Sequence, residues 1–316
     1  LGVRMDHQRL AVNDTIRDVT VYSNEIDFTN ATFTLGLRHE LMEGIELYSN
    51  IGTAWRAPNV AELYSFGYHF SRIQFGLWRY NFEPNITTPI DRVYDESVRQ
   101  VNSERSLKWV TGMEIKKGNV DAEVVIHANR ISDYIFLRPF GITTNVAGTF
   151  PFFIYDQTSA IFLGSDIDVR FQHSAEWSSE MKAAYVYASD TDGDQPFIEI
   201  PPLQLSYVLD YTKDNWGFEL SAVYSGQQWH APPVFEPISF QNGQAEVAPD
   251  QIFDFMAVPQ DFVLFGAGVS YELGGLNVTV RADNLFNLSY RRYTDRLRYF
   301  SDAQGRNIAL AIGYDF

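Results

Sequence analysis

Near the C-terminus, Leu276, Val278, Val280 and Ala282 alternate with Asn277, Thr279, Arg281 and Asp283. A period of two is the spacing of a β-strand, whose successive side chains point to opposite faces. Ile308, Leu310, Ile312, Tyr314 and Phe316 repeat the apolar row at the end of the chain, with Ala309, Ala311, Gly313 and Asp315 opposite. One apolar face backed by small or polar groups suits a barrel wall with lipid outside and water or a plug inside. No run approaches the roughly 20 apolar residues of a membrane-spanning helix. If this chain crosses a membrane, it crosses with strands.

Similar segments cover residues 1–7, 28–41, 45–55, 106–116, 120–134, 152–172, 181–188, 202–211, 216–228 and 262–273, which with the two above makes about twelve. Short polar turns at 42–44, 117–119, 174–178, 212–215 and 274–275 alternate with long connections at 8–27, 57–100, 135–151, 189–201, 229–261 and 293–304. Short periplasmic turns and long outer loops are the pattern of bacterial outer-membrane barrels. A soluble propeller or sandwich also has many strands, but no repeat of blade length is present. Aromatic residues near strand ends (Trp55, Trp109, Tyr134, Trp177, Trp216, Trp229 and Tyr290) favour the barrel.

Composition narrows the function classes. The formal net charge of −16 argues against nucleic acid, whose phosphates need clustered Lys and Arg. Without Cys, disulfide and thiolate chemistry are excluded, and the 6 His residues show neither metalloprotease spacing nor a Ser and Asp pattern. The expectation is a protein that is not an enzyme and carries no cofactor. Leu1 opens inside a strand pattern, with no basic segment followed by an apolar run, so further sequence upstream is expected.

Three places resemble TonB-dependent outer-membrane receptors. The first is Trp55, Arg56, Ala57, Pro58, Asn59, Val60, Ala61, Glu62, Leu63 and Tyr64, similar to that family's "aromatic, Arg, Ala, Pro, then Glu, Leu, Tyr" motif. The second is Asn102, Ser103, Glu104, Arg105 and Ser106, running on to Gly112 and Glu114, with Ser103 where proline is usual. The third is Ala282, Asp283, Asn284, Leu285, Phe286, Asn287 and Tyr290, followed by Gly305, Arg306 and the terminal Phe316.

The resemblance implies an all-β, transmembrane antiparallel β-barrel of about 22 strands filled by an N-terminal plug. Residues 1–316 would supply roughly its last twelve strands, as the C-terminal part of one barrel domain. The plug, its TonB box and the first strands are not in this sequence. A half barrel leaves two unpaired edges, so its other half is a second chain or another part of a longer protein.

The partners implied are the TonB complex through the plug, lipid and lipopolysaccharide, the N-terminal half of the barrel, and a metal chelate or similar small ligand. The implied role is import of a scarce nutrient, most readily an iron-siderophore, at the outer membrane. The alternative is a self-contained barrel of about twelve strands acting as hydrolase, adhesin or passive channel. Arg56, Pro58 and Glu62 read as structural motif residues, Asn284 and Phe286 as shaping a strand end, and Phe316 as the terminal aromatic that the resemblance ties to barrel assembly.

For ligand capture the longest connection offers Tyr68, His69, Arg72, Trp78, Arg79 and Tyr80, together with Tyr64. Aromatics can pack on the organic shell of a chelate, and Arg can pair with carboxylate, catecholate or phosphate ligands. The same residues could instead fold the loop on itself. Some zinc- and haem-linked members carry two histidines after the Glu, Leu, Tyr motif, whereas here His69 is followed by Phe70, so no metal site is expected. Trp229 and His230 offer an indole and an imidazole to a vestibule, or mark the aromatic girdle. Asp190, Asp192 and Asp194 around Gly193 lack the distal bidentate Glu of a calcium loop and read as a solvated turn.

Overall fold

The alternation above is realised in a computed structural model that describes residues 1–12, 24–69, 72–78, 100–145, 148–236, 239–241, 244–246 and 251–314. Strands β1 (Gly2–Val12), β2 (Asn24–Met42) and β3 (Ile45–Arg56) lead into a short helix, α1 (Val60–Tyr64), and the hairpin of β4 (Phe66–His69) and β5 (Arg72–Phe75). The wall resumes with β6 (Glu104–Lys117), β7 (Val120–Asn145), β8 (Gly148–Gln172) and β9 (Trp177–Asp190), which carries the two-residue β10 (Gln195–Pro196). Then come β11 (Gln204–Lys213) and β12 (Trp216–Ser225), a separate ribbon of β13 (Ser239–Gln241) and β14 (Gln244–Glu246), and finally β15 (Phe262–Leu273), β16 (Leu276–Asp283) and β17 (Asn307–Tyr314).

Twelve of these strands form one continuous antiparallel path, β1-β2-β3-β6-β7-β8-β9-β11-β12-β15-β16-β17, one for each expected segment. Beside the extension of β1 and β2 over residues 8–12 and 24–27, also expected as a connection, the largest departure is at residues 135–151, expected as a long connection. They continue β7 and β8 as a ribbon running out to Asn145 and Gly148, with bulges between Ile131 and Tyr134 and between Pro139 and Gly141. Pro139 and Gly141 read as loop residues, but a bulge accommodates both a missing donor and a distorted backbone. At the short-turn end, Gly44 has φ +75° and an added Cβ would lie 2.2 Å from the carbonyl oxygen of Lys116. Glycine is the residue that tolerates both conditions.

Register sorts the side chains onto two faces. Trp177, Tyr211, Phe218, Val269, Val280 and Leu310 lie opposite one another across successive strands, and Leu35, Ile51, Trp109, Ala128 and Leu163 form a second such row. Large side chains of these rows are exposed, among them Trp109, Phe218 and Leu310. A continuous exposed apolar band of this extent marks a surface that meets lipid. The opposite face carries ion pairs: Arg38 with Glu46 and Glu114, Lys182 with Asp168 and Glu180, and Arg281 with Glu219.

The buried cores lie at the long-loop end. Phe162 and Ala188 are cross-strand partners on the polar face, and Phe197 from the segment after β9 stacks 6.2 Å from Phe162. That segment therefore folds inward over the polar face. Phe197 joins Leu137, Phe153, Ala160, Ala188, Ile198 and Ile252 in one cluster, while Leu63, Leu77, Trp78, Val101 and Ile135 form a second.

Candidate functional site

The loop layer is tied to the wall where two of the sequence motifs meet. Arg56 ends β3, and its guanidinium donates from Nε to Glu104 at 2.7 Å and from Nη1 to Glu62 at 2.8 Å. Glu104 opens β6 and also accepts the backbone N–H of Ile135 at 2.7 Å. Asn59 and Glu62 form a reciprocal capping box that starts α1. Pro58, fully buried, sets the chain's exit from the strand.

The helix backbone then receives the outgoing chain. Gly76 N–H donates to Ser65 O at 2.7 Å, Leu77 N–H to Glu62 O at 2.7 Å, and Trp78 N–H to Leu63 O at 3.1 Å. An added Cβ on Gly76 would stand 2.3 Å from the carbonyl oxygen of Leu63, a backbone atom that cannot swing away. Gly76→Ala is expected to cost the loop about 1–3 kcal/mol, read as faster proteolytic cutting around residues 60–78 with the barrel wall unchanged. Cutting at the native rate would show that this contact does not hold the loop.

The predicted binding residues divide by environment. Trp78 is 7% exposed and packs edge-on against Tyr64, with ring centroids 5.2 Å apart. Tyr68 is exposed on β4, its ring 4.8 Å from Phe150. His69 ends β4 opposite Arg72, but its side chain lies outside the described residues, as do Arg79 and Tyr80 entirely. Trp229 is 72% exposed, with its indole N–H 3.3 Å from the Tyr185 hydroxyl. His230 stacks on Tyr187 at 4.3 Å.

Burial pulls the His230 imidazole below its ordinary range, and Asp194 opposes that only in part. A depressed folded-state pKa means that the folded loop binds fewer protons than the unfolded one. Its contribution is complete above about pH 6.5 and is lost as pH falls through the imidazole range. Amide exchange in residues 226–234 should therefore speed up on acidification in the native protein and not in His230→Phe. Equal pH responses would remove His230 as the cause.

Arg72 lies on β5. It is half-buried, and its Nε donates to the neutral Gln74 amide oxygen at 2.9 Å. Burial, and after it the positive charge of Arg296, lower its pKa from that of a free guanidinium. Arg296 itself pairs with Glu199, from 2.6 Å, and lies over the Phe153 ring at 5.6 Å. No carboxylate among the described residues forms an ion pair with Arg72. Arg296 and Glu199 thus act on Arg72 with opposite signs, next to Tyr155.

The sequence reading missed a buried pair in the same layer. Arg298 and Asp254 are 0% and 1% exposed at their side chains and meet at 2.5 Å. The Tyr299 hydroxyl donates to the other Asp254 oxygen at 2.8 Å. Arg298 lies over the rings of Tyr293 and Tyr299 at 4.7 and 4.5 Å. Burial, then the Asp254 charge, push both phenols upward. No local pattern marks a pair 44 residues apart.

The remaining motif residues act within the wall. Asn284 has φ +48°, and its amide bridges Leu288, accepting the N–H and donating to the carbonyl, both at 2.8 Å. Phe286 is 74% exposed on the apolar side, with its ring 5.5 Å from Phe265. Phe316 lies outside the described residues. Asp190 and Asp192 are spent on the hydroxyl of Thr158 and the backbone N–H of Ser159. Among the described residues, no group of three or more His, Asp or Glu side chains gathers as a metal site would require.

Comparison with known proteins agrees with this architecture. The family described as "TonB dependent receptor-like, beta-barrel" matches residues 1–288. No curated protein sequence matches the chain. Among solved structures, the copper transporter OprC superposes with a TM-score of 0.72 at 15% identity, covering 99% of this chain and 44% of that one. The FrpB iron transporter from Neisseria meningitidis gives 0.64 at 13% identity, covering 99% and 42%. The siderophore receptor PirA from Acinetobacter baumannii gives 0.64 at 14% identity, covering 99% and 46%. The chain thus spans less than half the length of the structures it matches. With twelve strands in the expected order, apolar outside and charged within, and with a family match over most of its length, this chain belongs to the TonB-dependent receptor β-barrel family of the bacterial outer membrane.

Proposed function

We propose that the complete protein imports an anionic metal chelate, an iron-siderophore before others, with energy delivered by the TonB complex through an N-terminal plug. This chain would form the C-terminal part of one barrel of about 22 strands. Arg72 carries the reading: a half-buried guanidinium without a carboxylate partner among the described residues, beside Arg296 and aromatic surface. A carboxylate or catecholate would relieve the repulsion between the two guanidinium groups, and Tyr68 offers an exposed ring to the chelate's organic part, whereas Trp229 packs on Tyr185 of the outward-facing row.

The test uses cells producing the complete protein and a panel of radio-iron siderophores, carboxylate and catecholate types included. Uptake of at least one is expected, abolished by deletion of TonB while binding to whole cells persists. Uptake that persists without TonB would favour a passive channel, and no uptake of any chelate would overturn the reading. For the ligand taken up, Arg72→Gln is expected to weaken binding by about tenfold, the loss of one charge-assisted contact. Unchanged affinity would move the site away from Arg72.

A further inference from the structure

On the apolar, outward side of the wall lies a second, oppositely placed cationic site. Register puts Trp55 opposite Arg105 and Arg105 opposite Ser132, and one step lower Thr53 opposite Leu107 and Leu107 opposite Arg130. The next step inward is Ile51 opposite Trp109 and Trp109 opposite Ala128, within the lipid-facing row. Arg105 and Arg130 therefore share the lipid-facing side with Leu107 and Trp109. They line an open pocket of about 330 Å³ together with Phe33, Thr53, Trp55 and Leu107, and no acidic residue contributes to it.

Height along the wall decides what the pocket meets. β7 rises from its short turn at Val120, and about 9–11 residues suffice for a strand to cross the hydrocarbon. Arg130 and its neighbour Arg105 thus stand at the outer boundary of that layer, with Trp109 and Ile126 exposed below them. Both arginines are exposed, and neither makes a side-chain hydrogen bond or ion pair among the described residues. By contrast, Arg38, Arg170 and Arg281 on the inner face are all paired with carboxylates. Unpaired charge facing lipid is costly unless the lipid itself supplies the counter-charge.

We infer that this pocket seats a phosphorylated headgroup of the outer leaflet's lipopolysaccharide, its phosphate held between Arg105 and Arg130. The planar guanidinium forks match phosphate geometry. Trp55 supplies an aromatic edge at the level where glycolipid sugars lie, and Phe33 and Leu107 meet the upper acyl chains. This inference rests on the outer-membrane barrel assignment but not on any transported ligand.

The test uses the complete protein in detergent, with native mass spectrometry reading retained lipid. The wild type is expected to hold bisphosphorylated lipid A, and Arg105→Gln with Arg130→Gln together should reduce its occupancy by at least about tenfold. Dephosphorylated lipid A should bind as poorly as the double variant does, and millimolar inorganic phosphate should not displace the lipid. Lys108→Gln, in the same strand with its side chain on the inner face, should leave occupancy unchanged. Equal retention by wild type and double variant, or equal retention of phosphatidylglycerol, would overturn the inference. Heat-modifiable migration on gels, measured beside it, reports the folded barrel: its absence in the wild type would count against the barrel assignment, and its loss in the double variant alone would overturn the view that these arginines serve only lipid. Arg105→Lys with Arg130→Lys, which keeps the charge, should retain more lipid than the Gln pair if phosphate is the partner.

Discussion

Asp254→Asn is expected to open the loop layer at the outer end of the sheet while the wall beneath stays folded. The change removes one charge and almost no volume, leaving the Arg298 guanidinium enclosed at 0% exposure without its counter-charge. Breaking a buried pair from one side costs about 3–5 kcal/mol, because the stranded ion has lost water and partner together. The rings of Tyr293 and Tyr299 on its flanks soften that penalty but carry no negative charge at neutral pH, since burial pushes both phenols upward. Hydrogen exchange in residues 251–256 and 293–300 should accelerate by orders of magnitude, with exchange in β15 and β16 unchanged. Replacing both partners, Asp254→Leu with Arg298→Met, should restore much of the protection, because a neutral pair leaves nothing to desolvate. Protection unchanged in Asp254→Asn would show that aromatic packing, not the ion pair, orders this layer.

How far the fold could be read from sequence follows from the range of the physics involved. The wall was readable because strand alternation is local, and the lipid band repeats it along β16 and β17 without interruption. Turn positions were readable because glycine and Asn or Asp cluster there, as at Gly274 and Gly275. The β7–β8 ribbon was misjudged because Pro139 and Gly141 signal a loop in isolation, whereas pairing over the whole hairpin absorbs them as a bulge. The loop layer was barely readable. Arg72 was singled out, but nothing near it in sequence shows that Arg296 lies close enough to depress its pKa. Arg298 and Asp254 meet only because two separate loops fold inward onto the same cluster. Arg105 stood out only as part of a motif, and Arg130 not at all, because parity alone does not show that they share a height on the outward face; strand register does.

The motif around Arg56 leads to the second large effect. Arg56→Ala should detach α1 and the loop behind it from the wall. Arg56 stands between Glu62 and Glu104, whose side chains are only 10% and 12% exposed, so its removal leaves two buried carboxylates facing each other. Glu62 keeps the Asn59 N–H and Glu104 keeps the Ile135 N–H, which limits the damage, and Arg56 itself is 44% exposed, so water already screens part of the attraction. A cost of about 2–3 kcal/mol is expected, below the range for a fully enclosed pair. The consequence should be local: proteolysis within residues 57–78 and faster exchange at Leu77 and Trp78, whose N–H groups bond to the backbone of residues 62 and 63. Arg56→Lys should recover less than half of the loss, since a single ammonium cannot donate to both carboxylates in the fork geometry that Nε and Nη1 provide. Full recovery by lysine would show that charge suffices at this position. A loop that stays intact in Arg56→Ala would mean that the apolar cluster of Leu63, Leu77 and Trp78 holds the loop to the wall unaided.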